Sequence, residues 1–365
     1  MRHTVTMIPG DGVGPEIMEV AKTCIAETGV DVQWDVQPAG MSAQQSRGAL
    51  LPRQVIDSIR ENRVALKGPL ETPIGSGYRS VNVQLRKDLN LYACVRPCRY
   101  YPGIQTRITD PEAIDLVIIR ENMEDMYAGI EFMEECGAET PLIDFLKQQK
   151  QGADLECDTG FSIKPISRRG SERVARFAFE YAREYGRKRI SAVDKANIMK
   201  YSDGMFMRAA EKISEGYPDI EFEHKLVDNM CMQLVQKPEQ YEVLVMPNLY
   251  GDILSDLCAG LIGGLGVAPG ANMGNSYAVF EPVHGTAPKY AGADRANPTA
   301  ILLSSVLMLH HINEGAAAQR LEKAVAAVIK EGIHVTRDLK PPDAAGQSTG
   351  TQVMGGAVRD KIQSL

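Results

Sequence analysis

The chain has 365 residues, 44% of them apolar and 24% charged, which is the composition of a globular enzyme large enough for two ordinary domains. A net charge of −7 argues against nucleic acid or an anionic membrane as the main partner, while a local cluster of arginines can still bind an acidic substrate. The seven cysteines (Cys24, Cys94, Cys98, Cys136, Cys157, Cys231 and Cys258) show neither zinc spacing nor a disulfide framework, which predicts free thiols in a reducing cytoplasm.

Strand and helix patterns alternate from the start. HTVTMIP reads as a strand with no signal peptide ahead of it, and PEIMEVAKTCIAET as a helix opened by Pro15. VDVQWDVQPA is a strand, PRQVIDSIREN a helix, and RVALKGPL a strand that runs into a Gly/Pro/Ser loop. DLVIIR, RISAVDK and YEVLVMP are apolar strands, each followed by a charged or helical stretch, so the class is α/β with much parallel pairing. Residues 131–165 break the rhythm: acidic, without a long apolar run, they read as an inserted arm. Residues 257–280 lack charge, but their glycines, proline and asparagines rule out a spanning helix, which needs roughly 20 mostly apolar residues. They are expected to form a close-packed helix followed by a loop.

The first turn, Gly10-Asp11-Gly12-Val13-Gly14, looks like a dinucleotide fingerprint but is G-x-G-x-G rather than G-x-G-x-x-G. One residue on a helix is a rotation of about 100°, so the third glycine misses its packing role. Asp11 would also set a carboxylate beside the phosphates. Phosphate binding is therefore not expected at this turn.

Chemistry is expected elsewhere. In NLYGDILSDL, Asp252 and Asp256 share one helix face, and Leu249, Ile253, Leu254 and Leu257 predict that the helix is largely buried. Two carboxylates there call for a cation, and oxygen-only ligands select Mg²⁺ or Mn²⁺. In GSGYRSVNVQLRKDLNLYACVRPCRYY, Arg79, Arg86, Arg96 and Arg99 fall close together, with Ser80, Asn82 and Arg86 on a helix start and Arg96 in a strand before Pro97. With Arg120 at the end of DLVIIR they fit a di- or tricarboxylate, which guanidinium groups bind bidentately. Tyr127 and Lys195 are candidate proton carriers; a tyrosine beside a lysine ammonium would have a lowered pKa.

Taken together, IPGDGVGPEI, KGPLETP, RSVNVQLR, LYACVRPCRYY, IIRENMEDMYAGIE, DKANIMK, NLYGDILSD, APGANMG and EPVHGTAPKYAG resemble the metal-dependent β-decarboxylating dehydrogenases over nearly the whole chain. Within that isocitrate/isopropylmalate dehydrogenase family the sequence looks most like the bacterial isocitrate enzymes. The resemblance implies a two-domain α/β fold with mixed parallel and antiparallel strands, distinct from a Rossmann fold. It implies a large cofactor-side domain of residues 1–91 and 263–365. A small dimer-forming domain would comprise 92–130 and 166–262, with 131–165 as a dimer clasp.

The same resemblance assigns roles. Arg86, Arg96 and Arg120 match substrate-carboxylate arginines. Ser80 and Asn82 match the positions that hold the third carboxylate of isocitrate, where isopropylmalate enzymes carry an apolar residue. Asp252 and Asp256 match metal ligands, and Asp228 a third one, supplied with Lys195 by the partner of a homodimer. Oxidation of the metal-chelated hydroxyl by NADP, with Lys195 assisting proton removal, would precede loss of CO₂ and protonation of carbon by Tyr127. In some bacterial isocitrate dehydrogenases the serine matching Ser80 is phosphorylated, which makes Ser80 a candidate target of a regulatory kinase beside its plainer role as a substrate contact.

The cofactor would lie on residues 281–298, with the first glycine turn passing it from the opposite side. Glu281, His284, Gly285 and Thr286 match cofactor contacts, as do Ala287, Asn297, Thr72 and Asn197. Lys289 and Tyr290 match the pair of NADP users; NAD users usually have Asp there, which would accept from a ribose hydroxyl and repel a phosphate. The C-terminal side departs from the NADP pattern, with Arg337 and Pro341 where a tyrosine and an arginine are expected; Arg337 or Lys340 could still reach a phosphate. Glu71 also stands where close relatives often have threonine. The alternatives are an NAD-dependent isocitrate or homoisocitrate dehydrogenase, or a catalytically dead regulatory subunit. The last is disfavoured because Tyr127, Lys195, Asp228, Asp252 and Asp256 are all present.

Overall fold

The computed structural model describes residues 2–71, 80–134, 141–148 and 158–365. Thr72, Arg79, Cys136, Cys157 and parts of the expected clasp lie outside the described residues. The first half alternates as anticipated: β1 (His3–Ile8), α1 (Gly14–Glu27), β2 (Val32–Val36), α2 (Met41–Arg47), α3 (Arg53–Asn62) and β3 (Val64–Lys67). Then come α4 (Val81–Asp88), β4 (Ala93–Arg99) and β5 (Asp115–Glu121). The acidic segment holds β6 (Glu131–Glu134), α5 (Pro141–Gln148) and β7 (Thr159–Ser162). Next are α6 (Arg168–Glu184), β8 (Arg189–Asp194), α7 (Ser202–Ser214), β9 (Glu221–Leu226), α8 (Val227–Gln236), β10 (Val243–Met246) and α9 (Asn248–Leu261). The chain ends with β11 (Pro269–Met273), β12 (Ala278–Pro282), α10 (Thr299–His311), α11 (Gly315–Glu331) and α12 (Thr351–Ser364).

Ten strands form one sheet in the order β2-β1-β3-β12-β11-β4-β5-β10-β8-β9. Its outer parts are parallel; the inner strands β3 (Val64–Lys67) and β10 (Val243–Met246) are buried along their whole length, while the edge strands β2 and β9 carry polar residues and are partly exposed. The centre is antiparallel: β11 runs against both β12 and β4, and β4 against β5. This mixed sheet bears out the expected departure from a Rossmann fold. β6 and β7 make a separate antiparallel ribbon, with Phe132 and Phe161 stacked across it at 5.8 Å. No helix among the described residues is long and apolar enough to cross a membrane.

The expected loop after α9 is a correction. Residues 269–273 form β11, a buried strand at the middle of the sheet. Its small residues lie against α10, and Gly270 N–H reaches the hydroxyl of Ser304 (3.4 Å). Proline and glycine read as loop signals, yet here they lie in a paired central strand, where a Cβ at Gly270 would crowd the Glu281 carbonyl of β12.

Candidate active site

The antiparallel centre of the sheet brings the arginines together. Arg96 comes from β4, Arg120 from the neighbouring β5, and Arg86 from the last turn of α4. Ser80 is the N-cap of α4, its hydroxyl accepting from Val83 N–H (3.5 Å). Val81 and Leu85 anchor the inner side of the helix, and Asn82 and Arg86, one turn apart, face a cavity of about 130 Å³. Lys67, Arg96, Glu281 and His284 complete much of its lining. Asn82 Oδ1 and Arg86 Nε are buried beside it without a partner among the described residues, an acceptor and a donor left for a ligand.

Arg120 is almost fully buried. Its Nε donates to Asn248 Oδ1 (2.8 Å) and its Nη1 pairs with Asp252 of α9. Gly251 makes this possible, because a Cβ there would collide with the Arg120 methylenes. Burial, then the nearby Arg96 and Arg86 charges, push the Arg120 pKa down, which is the mark of cations crowded together for an anion. Arg96 Nη1 donates to Ser255 Oγ (2.5 Å) and stands 3.6 Å from Asp252 and 3.9 Å from Asp256.

Tyr127 lies on a short 3-10 turn, Asp125–Ala128, that follows β5. Its hydroxyl donates to Asp252 Oδ2 (2.5 Å), and the Arg120 guanidinium sits 4.8 Å from its ring centroid. Within the chain its neighbours are Arg120 and Asp252, and burial followed by the Asp252 carboxylate pushes the pKa up. Burial also opposes the charge of Asp252, but Arg120, the Tyr127 hydroxyl and Arg96 outweigh it and hold that carboxyl below its usual range.

α9 is less buried than its leucines suggested. Leu254 is buried, but Ile253 is 53% exposed and the Asp256 side chain 59% exposed. The two carboxylates therefore open outward, with arginines behind them. An oxygen-only pair, one turn apart and accessible, fits a small hard cation that keeps its remaining positions for substrate and water. Asp228 is not part of this group: it lies on α8 and pairs with Lys195 Nζ at 2.5 Å. Asn197 is exposed on the same loop as Lys195 and lines neither cavity described here.

Beneath the arginines is a pair the sequence reading missed. Lys67, only 1% exposed, places Nζ 2.5 Å from Glu281 Oε2; Asn272 Nδ2 donates to Oε1 at 2.6 Å, with Arg86 at 3.4 Å. Burial opposes the Glu281 charge, but Lys67 and Arg86 dominate and pull its pKa down to about 2. Glu281, expected as a cofactor contact, is thus the anionic floor of the arginine cavity. Lys67 had one legible signal, a charge ending the apolar run VALK before Gly68.

A second cavity, of about 600 Å³, opens on the other side of His284 and Gly285, which line both. Ala287, Tyr290, Asn297 and Arg337 border it, together with Val13, Arg295 and Asp338, which the sequence did not single out. His284 Nδ1 meets Gly285 O at 2.9 Å, while its buried Nε2 lacks a partner. Burial pushes its pKa down. Ala287 is held at φ 41°, a left-handed conformation costly for a residue with a Cβ and often found at ligand-binding loops. Lys289 is exposed, its Nζ 4.9 Å from the Tyr290 ring centroid.

A family model described as isocitrate/isopropylmalate dehydrogenase matches residues 4–358. The chain belongs to the isocitrate/isopropylmalate dehydrogenase family. It is similar to a solved isocitrate dehydrogenase from Methylococcus capsulatus, at 47% identity, a TM-score of 0.88 and 99% coverage of each chain. A probable NAD isocitrate dehydrogenase alpha subunit from mitochondria of Drosophila melanogaster is 46% identical over 92% of this chain and 82% of its own length. An NADP isocitrate dehydrogenase of Thermus thermophilus is also 46% identical, over 95% of this chain and 66% of its own.

In this member of the family the first glycine turn works as a brace. Val13 N–H donates to Thr286 O (2.9 Å), and a Cβ at Gly12 would strike that carbonyl. The turn therefore packs directly on the 284–287 loop instead of facing it across the cofactor. Asp11, nearly buried, accepts from Met41 N–H and Glu71 N–H, both at 2.9 Å, and is no neighbour for a phosphate. Lys340 is likewise reassigned: its Nζ caps α11 at Gly332 O (2.5 Å) and Ile333 O (3.3 Å).

Proposed function

We propose that this protein is a homodimeric, metal-dependent isocitrate dehydrogenase that uses NADP and yields 2-oxoglutarate and CO₂. The observation that carries the reading is the small cationic cavity lined by Arg86 and Arg96, with Arg86 Nε buried and without a partner among the described residues. Arg86, Arg96 and Arg120 would orient two carboxylates, and Asn82 and Ser80 would receive the third. A site built from polar groups rejects an apolar analogue such as isopropylmalate strongly.

When bound, Mg²⁺ or Mn²⁺ at Asp252 and Asp256 supplies Lewis acidity toward the substrate hydroxyl, and the nicotinamide accepts the hydride. Lys195, supplied by the second copy, assists removal of the hydroxyl proton. Tyr127 returns a proton to carbon after CO₂ leaves. Arg96 and Arg120 balance the carboxylate charge throughout.

Two features support a second copy of the chain. Lys195 and Asp228 stand as a separate pair, consistent with service to the partner's site. Met232, Val235 and Ile253 expose apolar side chains on α8 and α9, and the ribbon exposes Met133. We keep residues 131–165 as the clasp, and the two lobes 1–91 with 263–365 and 92–130 with 166–262. The described cysteines are free, which supports a reducing compartment such as the cytoplasm.

NADP is favoured because Arg295 and Arg337 line the dinucleotide cavity, with Lys289 beside it. The Asp338 carboxylate is already engaged by Thr336 Oγ1 (2.7 Å) and Asn297 Nδ2 (2.8 Å). The NAD reading draws on that same residue, an acid in the cavity that could turn to a ribose hydroxyl. One assay tests both: reduced-cofactor formation from isocitrate, homoisocitrate and isopropylmalate, with NADP or NAD, with and without Mg²⁺ or Mn²⁺. Isocitrate with NADP and metal is expected to be fastest. No turnover of isocitrate sinks the proposal, and a large preference for NAD overturns the cofactor assignment.

A further inference from the structure

Behind the site, one lysine sits where three functional pieces meet. Lys164 follows β7 at the root of the arm. Its Nζ, largely buried, pairs with Asp125 Oδ1 (2.8 Å) and Asp203 Oδ1 (3.2 Å) and lies 4.5 Å from the Tyr250 ring centroid. Asp125 and Asp203 are fully buried. Each carboxylate turns its other oxygen to a working element. Asp125 Oδ2 accepts from Leu249 N–H (2.7 Å), in the first turn of α9 and just ahead of Asp252. Asp125 also opens the turn that holds Tyr127, at φ 68°, a conformation that persists only when its surroundings fix it. Asp203 Oδ2 accepts from Lys195 N–H (2.8 Å) and from the Tyr250 hydroxyl (2.9 Å).

Two buried carboxylates brought together repel unless a cation stands between them. Without the Lys164 charge, relief requires one aspartate to move or to take a proton. Either response disturbs the Tyr127 turn, the start of α9 or the Lys195 loop. We propose that Lys164 is a positioning residue that fixes Tyr127 and Lys195 relative to each other through Asp125 and Asp203. The inference rests on the dehydrogenase reading above and deepens it. Since Lys195 serves the partner's site in that reading, Lys164 mechanically ties each active site to its neighbour's.

The test uses the purified full chain with isocitrate, NADP and Mg²⁺. Lys164→Met keeps the stem and removes the charge. It is expected to lower kcat about 10- to 100-fold, the scale of a small misplacement of catalytic groups. KM for isocitrate should change less than about threefold, because the arginines are untouched. The pH profile of kcat should shift, since both displaced groups handle protons. Lys164→Arg, which restores the charge, should recover most of kcat. Tyr250→Phe removes only one hydrogen bond to Asp203 and is expected to lower kcat about fivefold; it decides the matter if Lys164→Met does not fold. An unchanged kcat in folded Lys164→Met, or a loss seen only in melting temperature, overturns the inference. A wild-type chain that turns over no isocitrate overturns the functional reading, and this inference with it.

Discussion

Around Arg86 and Glu281 the charges are buried and paired within the chain, whereas around Arg337 and Lys289 they stand exposed on loops. The first region is set by β3, β4, β5 and β12, whose register leaves each side chain little choice. The second hangs on turns and short 3-10 segments. Rigid strands suit the reacting end of a substrate, where a small misplacement is costly. Loops suit the far end of a dinucleotide, where one exchanged side chain can change preference. Family relatives named for NAD and for NADP, at equal identity to this chain, fit that division.

The largest break in the rigid half is expected at Asp252. Asp252→Asn keeps shape but removes the charge facing Arg96, Arg120 and a bound cation. Metal-stabilised charge is worth several kcal/mol, so kcat/KM should fall about 10³- to 10⁴-fold while the fold persists. Steady-state assays beside a circular dichroism melt check it, and chelation of the metal from the wild type should produce a loss of similar size. Activity retained within about tenfold would mean that α9 does not hold the cation.

Lys67→Met comes next. It strands Glu281 in the core with only Arg86 at 3.4 Å and Asn272 for company. Breaking a buried pair from one side costs about 3–5 kcal/mol, readable as a lower urea midpoint with unchanged slope. The equivalent change on the loop side, Lys289→Met, should leave stability within about 0.5 kcal/mol, because that side chain is exposed. Equal losses at the two positions would erase the contrast between the regions.

What was legible in the sequence follows the same line. Arg96, Arg120, Asp252 and Asp256 sit in elements whose period and turn signals were strong, so their convergence could be expected. β11 was missed because Pro269 and Gly270 signal a loop unless the helix packed over them is known. Ile253 was taken for core because apolar periodicity reports burial without saying whether the cover comes from the same chain. Lys67 and Lys164 were missed for a third reason. Their partners are far away in the chain, Glu281 for one, Asp125 and Asp203 for the other, and a charge at the end of the run VALK is the only local mark of either.

Acid titration reads the buried pair without a change of backbone. The Glu281 carboxyl is held at about 2, below its ordinary 4.5, by Lys67 and Arg86 acting against burial. A depressed folded pKa gives stability that is complete above the unfolded value and is lost as pH falls through the folded one. The wild type should therefore shed about 3 kcal/mol from this group between roughly pH 4.5 and 2. Glu281→Gln, less stable at neutral pH, should lose correspondingly less across that window in urea titrations at stepped pH. Parallel acid slopes for the two proteins would mean that Glu281 is not ionised in the fold.

The smallest effect is expected on the loop side, and under the proposed function it bears on cofactor preference. Lys289 is free to leave the Tyr290 ring, and Arg295 and Arg337 border the same cavity, so no one cation carries the whole of a 2′-phosphate contact. A hydrogen bond to a charged group is worth about 1.5–3 kcal/mol, so Lys289→Asp should shift the NADP-to-NAD ratio of kcat/KM by about 10- to 100-fold. Adding Arg337→Ala should carry the shift further, with kcat for NAD nearly unchanged, since neither residue touches the arginine cavity. Asp338 gives the counter-test. Freed from Asn297 by Asn297→Ala, its carboxylate becomes available to a ribose hydroxyl and should raise affinity for NAD relative to NADP. If Lys289→Asp instead lowers kcat with both cofactors alike, the loop cations help to close the site rather than to choose the dinucleotide, and the two regions would be less separate than their construction implies.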